Sequence, residues 1–140
     1  MSDCKKILVT GAAGLLGSWI SEHFINLGYQ VVGVDNLSGG YLENVHHKVQ
    51  FYHTDLVNKG TIDTIMNNHK FDYVYHFAAY AAVGLSPFIR NFNYTNNILA
   101  TVNLINGAIK YQVKKFIFAS SMDVYGEQLP PFTEDMTPQP

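Results

Sequence analysis

A strand-like apolar run that opens into three glycines, directly ahead of a helix-like segment, restricts this chain more than any other feature. Residues 5–10 read KKILVT and residues 10–17 read TGAAGLLG. A short β-branched run of this kind suits a strand buried on both faces. Leu16, Ile20 and Phe24 then recur four apart with Ile25 beside them, which is the spacing of one helical face. The glycines divide the work of the junction. Gly11 admits a positive φ. Gly14 lets the backbone approach a bound group, and Gly17 lets the helix lie close on the sheet. The start of a helix offers unpaired N–H groups and a partial positive charge, which suits a phosphate. Taken alone, three glycines would also serve a purely structural tight turn.

The chain continues the pattern. Helix is predicted over residues 14–27, ended by Gly28, and strands over 30–35 (QVVGVD) and 49–54. A short helix over 61–68 precedes a fourth strand at 72–77 (DYVYHF). A long helix over 87–111 carries Ile98, Val102, Ile105 and Ile109 at three- and four-residue spacing, and a fifth strand follows at 115–120 (KFIFAS). Residues 127–140 hold four of the five prolines and read as loop. Strict alternation of strand and helix predicts an α/β domain with a parallel sheet. Right-handed crossovers favour the order 3-2-1-4-5, a Rossmann-type doubly wound sheet with its crevice at the carboxyl ends of the strands.

Every chemically suggestive group falls at such an end. Asp35 lies eighteen residues after Gly17, where an acid can accept both hydroxyls of an adenosine ribose and repel a 2′-phosphate. No Arg or Lys in residues 36–40 offsets that charge, so NAD is expected over NADP. Asp55 and Leu56, after the third strand, are placed to meet an adenine, although Asp is also common in turns. Phe77, Ala78 and Ala79 end the fourth strand, and their size suits either a cofactor against the backbone or a packed strand end. Ser120 and Ser121 end the fifth, where a hydroxyl can bind a substrate oxygen. No Gly-x-Ser-x-Gly elbow surrounds either serine, which argues against a hydrolase.

Composition removes other classes. A net charge of -2 with no basic stripe argues against nucleic-acid binding. Cys4 is the only cysteine, so neither an internal disulfide nor a cysteine-based zinc site is available. His46 and His47 are adjacent and expected to diverge, and His23, His53, His69 and a half-buried His76 lack partners at a recurrent ligand spacing. No metal site is expected. With neither a signal peptide nor a membrane span in the sequence, the protein is expected in the cytoplasm.

Taken together, TGAAGLLG, VDNLSGGYLENV, HTDLVN, HFAAYAAVG and FASSMDVYGE resemble, in order and over residues 7–140, an extended short-chain dehydrogenase/reductase of the NAD-dependent epimerase/dehydratase family. DNLSGGYLENV and PPFTEDMTPQP are most similar to its UDP-glucose 4-epimerases. The resemblance implies that Gly11, Gly14 and Gly17, with the backbone at Leu15 and Leu16, hold the pyrophosphate of NAD. It gives the ribose to Asp35 and Asn36, adenine to Asp55 and Leu56, and the channel wall to Phe77, Ala78 and Ala79. Asn96 would lie near the nicotinamide half. Ser121 would be the catalytic serine, with Ser120 beside it and able to exchange roles.

The chain departs from the family in two places. A lysine common in epimerases is replaced by Ala81. The catalytic Tyr-x-x-x-Lys should follow TPQP, and Tyr125 is no substitute because Leu129 stands four residues on. The expectation is therefore an NAD-binding domain over residues 1–140, truncated before the later strands and the substrate domain, and inactive alone. In the whole enzyme a UDP-hexose substrate and a homodimer through the 87–111 helix are implied. Two alternatives remain: a non-catalytic NAD-binding module, and a nucleotide-sugar 4,6-dehydratase or decarboxylase. Met122 stands where dehydratases carry an acid, which argues against the second.

Overall fold

The computed structural model describes residues 4–140. Strand β1, Lys6–Thr10, lies at the centre of the sheet because its side chains have nowhere to meet water: Ile7, Leu8 and Val9 are at most 1% exposed. It pairs in parallel with β2 (Gln30–Asp35) on one side and β4 (Tyr73–His76) on the other. β3 (Gln50–His53) adds outside β2 and β5 (Lys115–Phe118) outside β4, all parallel, in the order β3-β2-β1-β4-β5. This is the doubly wound α/β arrangement that the alternation predicts.

Alternate residues feed two layers. Ile7, Val9 and Val31 pack on Ile20, Phe24 and Ile25 of helix α1, Leu15–Asn26. Leu8, Val32, Val34 and Val74 face Ile62, Ile65 and Met66 of α2 (Lys59–His69), and Leu104 and Ala108 of the helix at Ala100–Lys110. Burying one such side chain stabilises the fold by about 1.5–3 kcal/mol. Gly28, at φ 83°, follows the end of α1 as expected. Among the described residues no helix is long and apolar enough to cross a membrane.

Three local readings are corrected. Helix α2 begins at Lys59, two residues early, because the Asn58 side chain accepts from Thr61 N–H and caps it despite Gly60. The long helix begins at Arg90 instead of 87 and is not uniform. A short α3, Arg90–Asn93, runs into a π-wound turn, Tyr94–Leu99, and then α4, Ala100–Lys110. Its signalling residues Ile98, Val102, Ile105 and Ile109 form the outward face, while Ala100, Leu104 and Ala108 meet the core. Lastly, His46 and His47 do not diverge but stack, with ring centroids 4.2 Å apart. Residues 127–140 form no helix or strand, and Gln139 N–H donates back to Val124 C=O.

Candidate functional site

A cleft of about 300 Å³ opens at the carboxyl ends of the strands, between the exits of β1, β2 and β3 and that of β4. Gly11, Gly14, Asp35, Asn36, Asp55, Leu56, Phe77, Ala78, Ala79 and Asn96 all line it. Sequence reasoning thus places a dispersed set of residues on one surface.

The floor is the glycine turn. Gly11 has φ 70°, and a Cβ there would stand 2.8 Å from Ala78 N and 2.9 Å from Phe77 C, so only glycine admits the exit of β4 this closely. Gly17 does not line the cleft; its missing side chain lets α1 seat on the turn, because a Cβ would collide with Gly11 O. Gly14, extended at φ -82° and ψ 174°, precedes α1, whose first intrahelical bond is Ser18 N–H to Gly14 C=O. The N–H groups of Leu15, Leu16 and Gly17 precede that bond, and no side chain caps them. No acid lies in that first turn, so its partial positive charge stays available to an anion. Leu15 and Leu16 are exposed and contribute no side chain to the cleft.

Asp35 is fixed at both oxygens. Ala13 N–H donates to Oδ2 at 3.0 Å and Leu37 N–H to Oδ1 at 2.7 Å. An Asp at a strand end can start a turn, and Asp35 does so through Leu37 N–H; the same bonding orients its carboxylate. Each oxygen keeps a further lone pair for a ligand. Asn36 donates through Nδ2 to Asp55 Oδ2 at 2.9 Å and accepts from Ser38 N–H and Oγ–H. Asp55 also accepts from Val57 N–H at 2.9 Å. Among the described residues, two carboxylates and no Lys or Arg line the cleft.

The opposite wall follows β4. His76 is 2% exposed, fully buried where the sequence implied half. Its neighbours define its protons. Thr101 Oγ1 donates to Asn97 C=O at 2.5 Å, so it can only accept from His76 Nε2–H at 2.8 Å. His76 Nδ1 then accepts from the Thr10 hydroxyl at 2.6 Å, and Ala78 N–H donates to that hydroxyl at 3.4 Å. Burial pushes the imidazole down to about 4, in keeping with this neutral form.

Ser120 and Ser121 are not brought into the cleft. Both are exposed beyond the end of β5, and Ser121 Oγ accepts from Asp123 N–H at 3.2 Å to cap a short 3₁₀ turn, Met122–Tyr125. Tyr111 and Lys115 do have the Tyr-x-x-x-Lys spacing. They sit at the end of α4 and the start of β5, at the amino ends of the strands, opposite the cleft. Gly39, Gly40, Thr54, Tyr80 and Phe92 also line the cleft without having been singled out, and so does Ala81, at the position of the missing lysine. Gly40 had a detectable signal in its glycine pair: a Cβ would meet Ala13 C at 2.6 Å, which lets the loop after β2 close over the glycine turn.

The chain is similar in sequence and fold to known proteins. The UDP-glucose 4-epimerase of Bacillus subtilis is 38% identical over 137 residues, covering 92% of this chain and 40% of that one. The Schizosaccharomyces pombe UDP-glucose 4-epimerase uge1 is 40% identical over 132 residues, covering 89% and 37%. The crystal structure of the Thermotoga maritima UDP-glucose 4-epimerase with UDP-glucose superposes with a TM-score of 0.89 at 38% identity, over 96% of this chain and 45% of that one. The Thermus thermophilus UDP-glucose 4-epimerase complex with NAD gives 0.88 at 33%, over 96% and 44%. The chain thus spans about two-fifths of the length of the curated relatives it matches. The family model for NAD-dependent epimerases and dehydratases matches residues 7–140. Glycine turn, fixed Asp35 and doubly wound sheet agree with that match, and the chain belongs to the NAD-dependent epimerase/dehydratase family.

Proposed function

We propose that this chain is the NAD-binding portion of a nucleotide-sugar epimerase of the UDP-glucose 4-epimerase type. The carrying observation is Asp35, held by Ala13 N–H and Leu37 N–H beside the glycine turn. The cleft fits the cofactor: Cβ-free backbone at Gly11 and Gly14 leaves room for a pyrophosphate, beside the uncapped helix start. Leu15, Leu16 and Gly17 contribute N–H groups there. Asp35 and Asn36 take the ribose, Asp55 and Leu56 the adenine, and Phe77, Ala78 and Ala79 the channel wall. Asn96 faces the nicotinamide half.

When bound, NAD supplies the hydride acceptor and donor for the sugar C4. Ser121 is the proposed catalytic hydroxyl, with Ser120 beside it. Both are exposed at the carboxyl end of β5 and open to a substrate oxygen. The only Tyr-x-x-x-Lys, Tyr111 to Lys115, is at the wrong end of the sheet, so residues 1–140 alone are proposed to be inactive. The substrate of the whole protein is a UDP-hexose. A homodimer forms through the outward face of residues 90–110, where Tyr94, Ile98, Val102, Ile105 and Ile109 are exposed at helical spacing. A cytoplasmic setting belongs to the same proposal.

Calorimetric titration with NAD and NADP tests the cofactor assignment. At ~4 Å, charge repulsion between Asp35 and a 2′-phosphate costs about 4 kcal/mol at an effective dielectric near 20. NAD should therefore bind roughly a thousandfold more tightly. Asp35→Ala should weaken NAD by ~1.5–3 kcal/mol. Equal affinity for the two cofactors would remove Asp35 from the site. Conversion of UDP-galactose to UDP-glucose by this chain, above a blank, would overturn its inactivity.

A further inference from the structure

Two walls of the cleft are segments that leave a strand, and each is gripped from behind by an asparagine on the helical run 94–110. Asn97 holds both backbone polar groups of Tyr80: its Oδ1 accepts from Tyr80 N–H at 2.7 Å and its Nδ2 donates to Tyr80 C=O at 3.0 Å. Among the described residues these two bonds tie residues 79–82 to the helical run; the others nearby are the local Val83 N–H to Ala81 C=O and Leu85 N–H to Ala82 C=O, and Ala78 N–H donates to the Thr10 hydroxyl. Ala79, Tyr80 and Ala81 all face the cleft. Asn103, buried, donates through Nδ2 to Leu56 C=O at 3.2 Å and Val57 C=O at 3.1 Å, and so holds the turn that carries Asp55. The Asn97 turn is itself anchored to the sheet, through Asn97 C=O, Thr101, His76 and Thr10.

We propose that Asn97 and Asn103 are positioning residues that set the width of the cleft before a cofactor enters, with Thr101 and His76 fixing Asn97 to the sheet. The chemistry suits the task. A carboxamide offers one donor and one acceptor side by side, the complement of the N–H and C=O of a single residue. A loop ordered in advance does not have to be ordered by the ligand, and that saving appears as affinity. The π winding of residues 94–99 accompanies the division of labour, with Asn96 lining the cleft and its neighbour Asn97 holding the wall. The proposal rests on the reading of the cleft as the NAD site, but one arm of its test does not.

Amide exchange at Tyr80, measured by NMR on this chain without cofactor, should quicken at least ~tenfold in Asn97→Ala, since its only acceptor is gone. NAD affinity by calorimetry, below the melting range, should fall about tenfold, as for one lost ordering interaction. Asn97→Asp keeps the acceptor, loses the donor and should fall between parent and alanine. Thr101→Ser should bind as the parent does and Thr101→Val more weakly. Phe24→Leu, on the α1 face away from the cleft, is the stability control and should lower the melting temperature with NAD affinity unchanged. Unchanged Tyr80 exchange in Asn97→Ala overturns the proposal, as does unchanged affinity with exchange released. Equal weakening by Phe24→Leu reduces the effect to stability and also overturns it. If the parent binds no NAD, the cofactor reading falls, and Tyr80 exchange still decides whether Asn97 holds the wall.

Discussion

At the β2–β3 end of the cleft, Asp35, Asn36 and Asp55 are tied to one another's turns and to the glycine turn by six side-chain bonds. At the β5 end, Ser120 and Ser121 are exposed, and among the described residues the one side-chain bond of the two serines is Ser121 capping its own 3₁₀ turn. One region is preassembled and the other is not. The difference follows from what each end packs against. β2 has a neighbour on both sides and helices on both faces, whereas β5 is an edge strand with Phe118 59% exposed. The half proposed to face the cofactor is therefore built by these residues, and the proposed reacting half is left open.

The most severe way to break the comparison is Gly17→Ala. The added Cβ meets backbone that cannot move aside, with Gly11 C at 2.6 Å and Ala12 Cα at 2.8 Å. We expect about 4 kcal/mol lost in urea unfolding, or no cooperative transition at all. Ser121→Ala at the open end should cost no more than ~1 kcal/mol, the usual value of an exposed cap. Similar costs for the two substitutions would show that the ends do not differ in rigidity.

Acid probes the anchor between them. The folded chain holds His76 at about 4, below its ordinary 6.5, because burial disfavours the cation. Between those values the unfolded chain binds a proton that the folded chain does not. Stability is therefore complete above pH 6.5 and declines as pH falls toward 4, by about 3 kcal/mol. His69 is lowered in the same direction by desolvation and steepens the decline. Asp72, lowered first by its hydrogen bond to Lys114, loses its contribution only as pH falls below the ordinary 3.8. Urea midpoints across this range should slope in the parent and flatten in His76→Gln. A slope unchanged in that variant would place the acid sensitivity elsewhere.

How far the sequence reveals this depends on the range over which each interaction acts. The glycine turn, the strands and Asp35 are visible because they rest on local chemistry: a positive φ at Gly11, apolar runs buried on two faces, an acid at a strand end. Strand order follows from alternation and handedness. Asn97 and Asn103 leave no such trace. Their partners lie 17 and 46–47 residues away, and asparagine on a helix has no period that announces a bond to a distant carbonyl. His76 reads as half-buried because its strand mixes tyrosines with apolar residues, and only β5 reveals how deeply it sits. The outward stripe of 90–110 misleads differently: the same spacing marks a helix whether its apolar face meets a core or solvent.

That stripe gives the finest test. Ile109 is 72% exposed and Ile98 58%, so neither contributes much burial within the chain. Replacing both by glutamine should alter the stability of the monomer by no more than ~0.5 kcal/mol, the range for exposed positions without special contacts. Their exposure has a different consequence. With Tyr94, Val102 and Ile105 they form one continuous apolar face, and such faces associate. Sedimentation of the parent should show association that rises with concentration, and the double variant should remain monomeric. The effect on NAD affinity should be nil, because neither residue lines the cleft. A parent that stays monomeric at all concentrations would remove the proposed dimer face. A variant that loses several kcal/mol would show that the face is already buried within the chain, and the contrast between a closed inner surface and an open outer one would fail at its most exposed point.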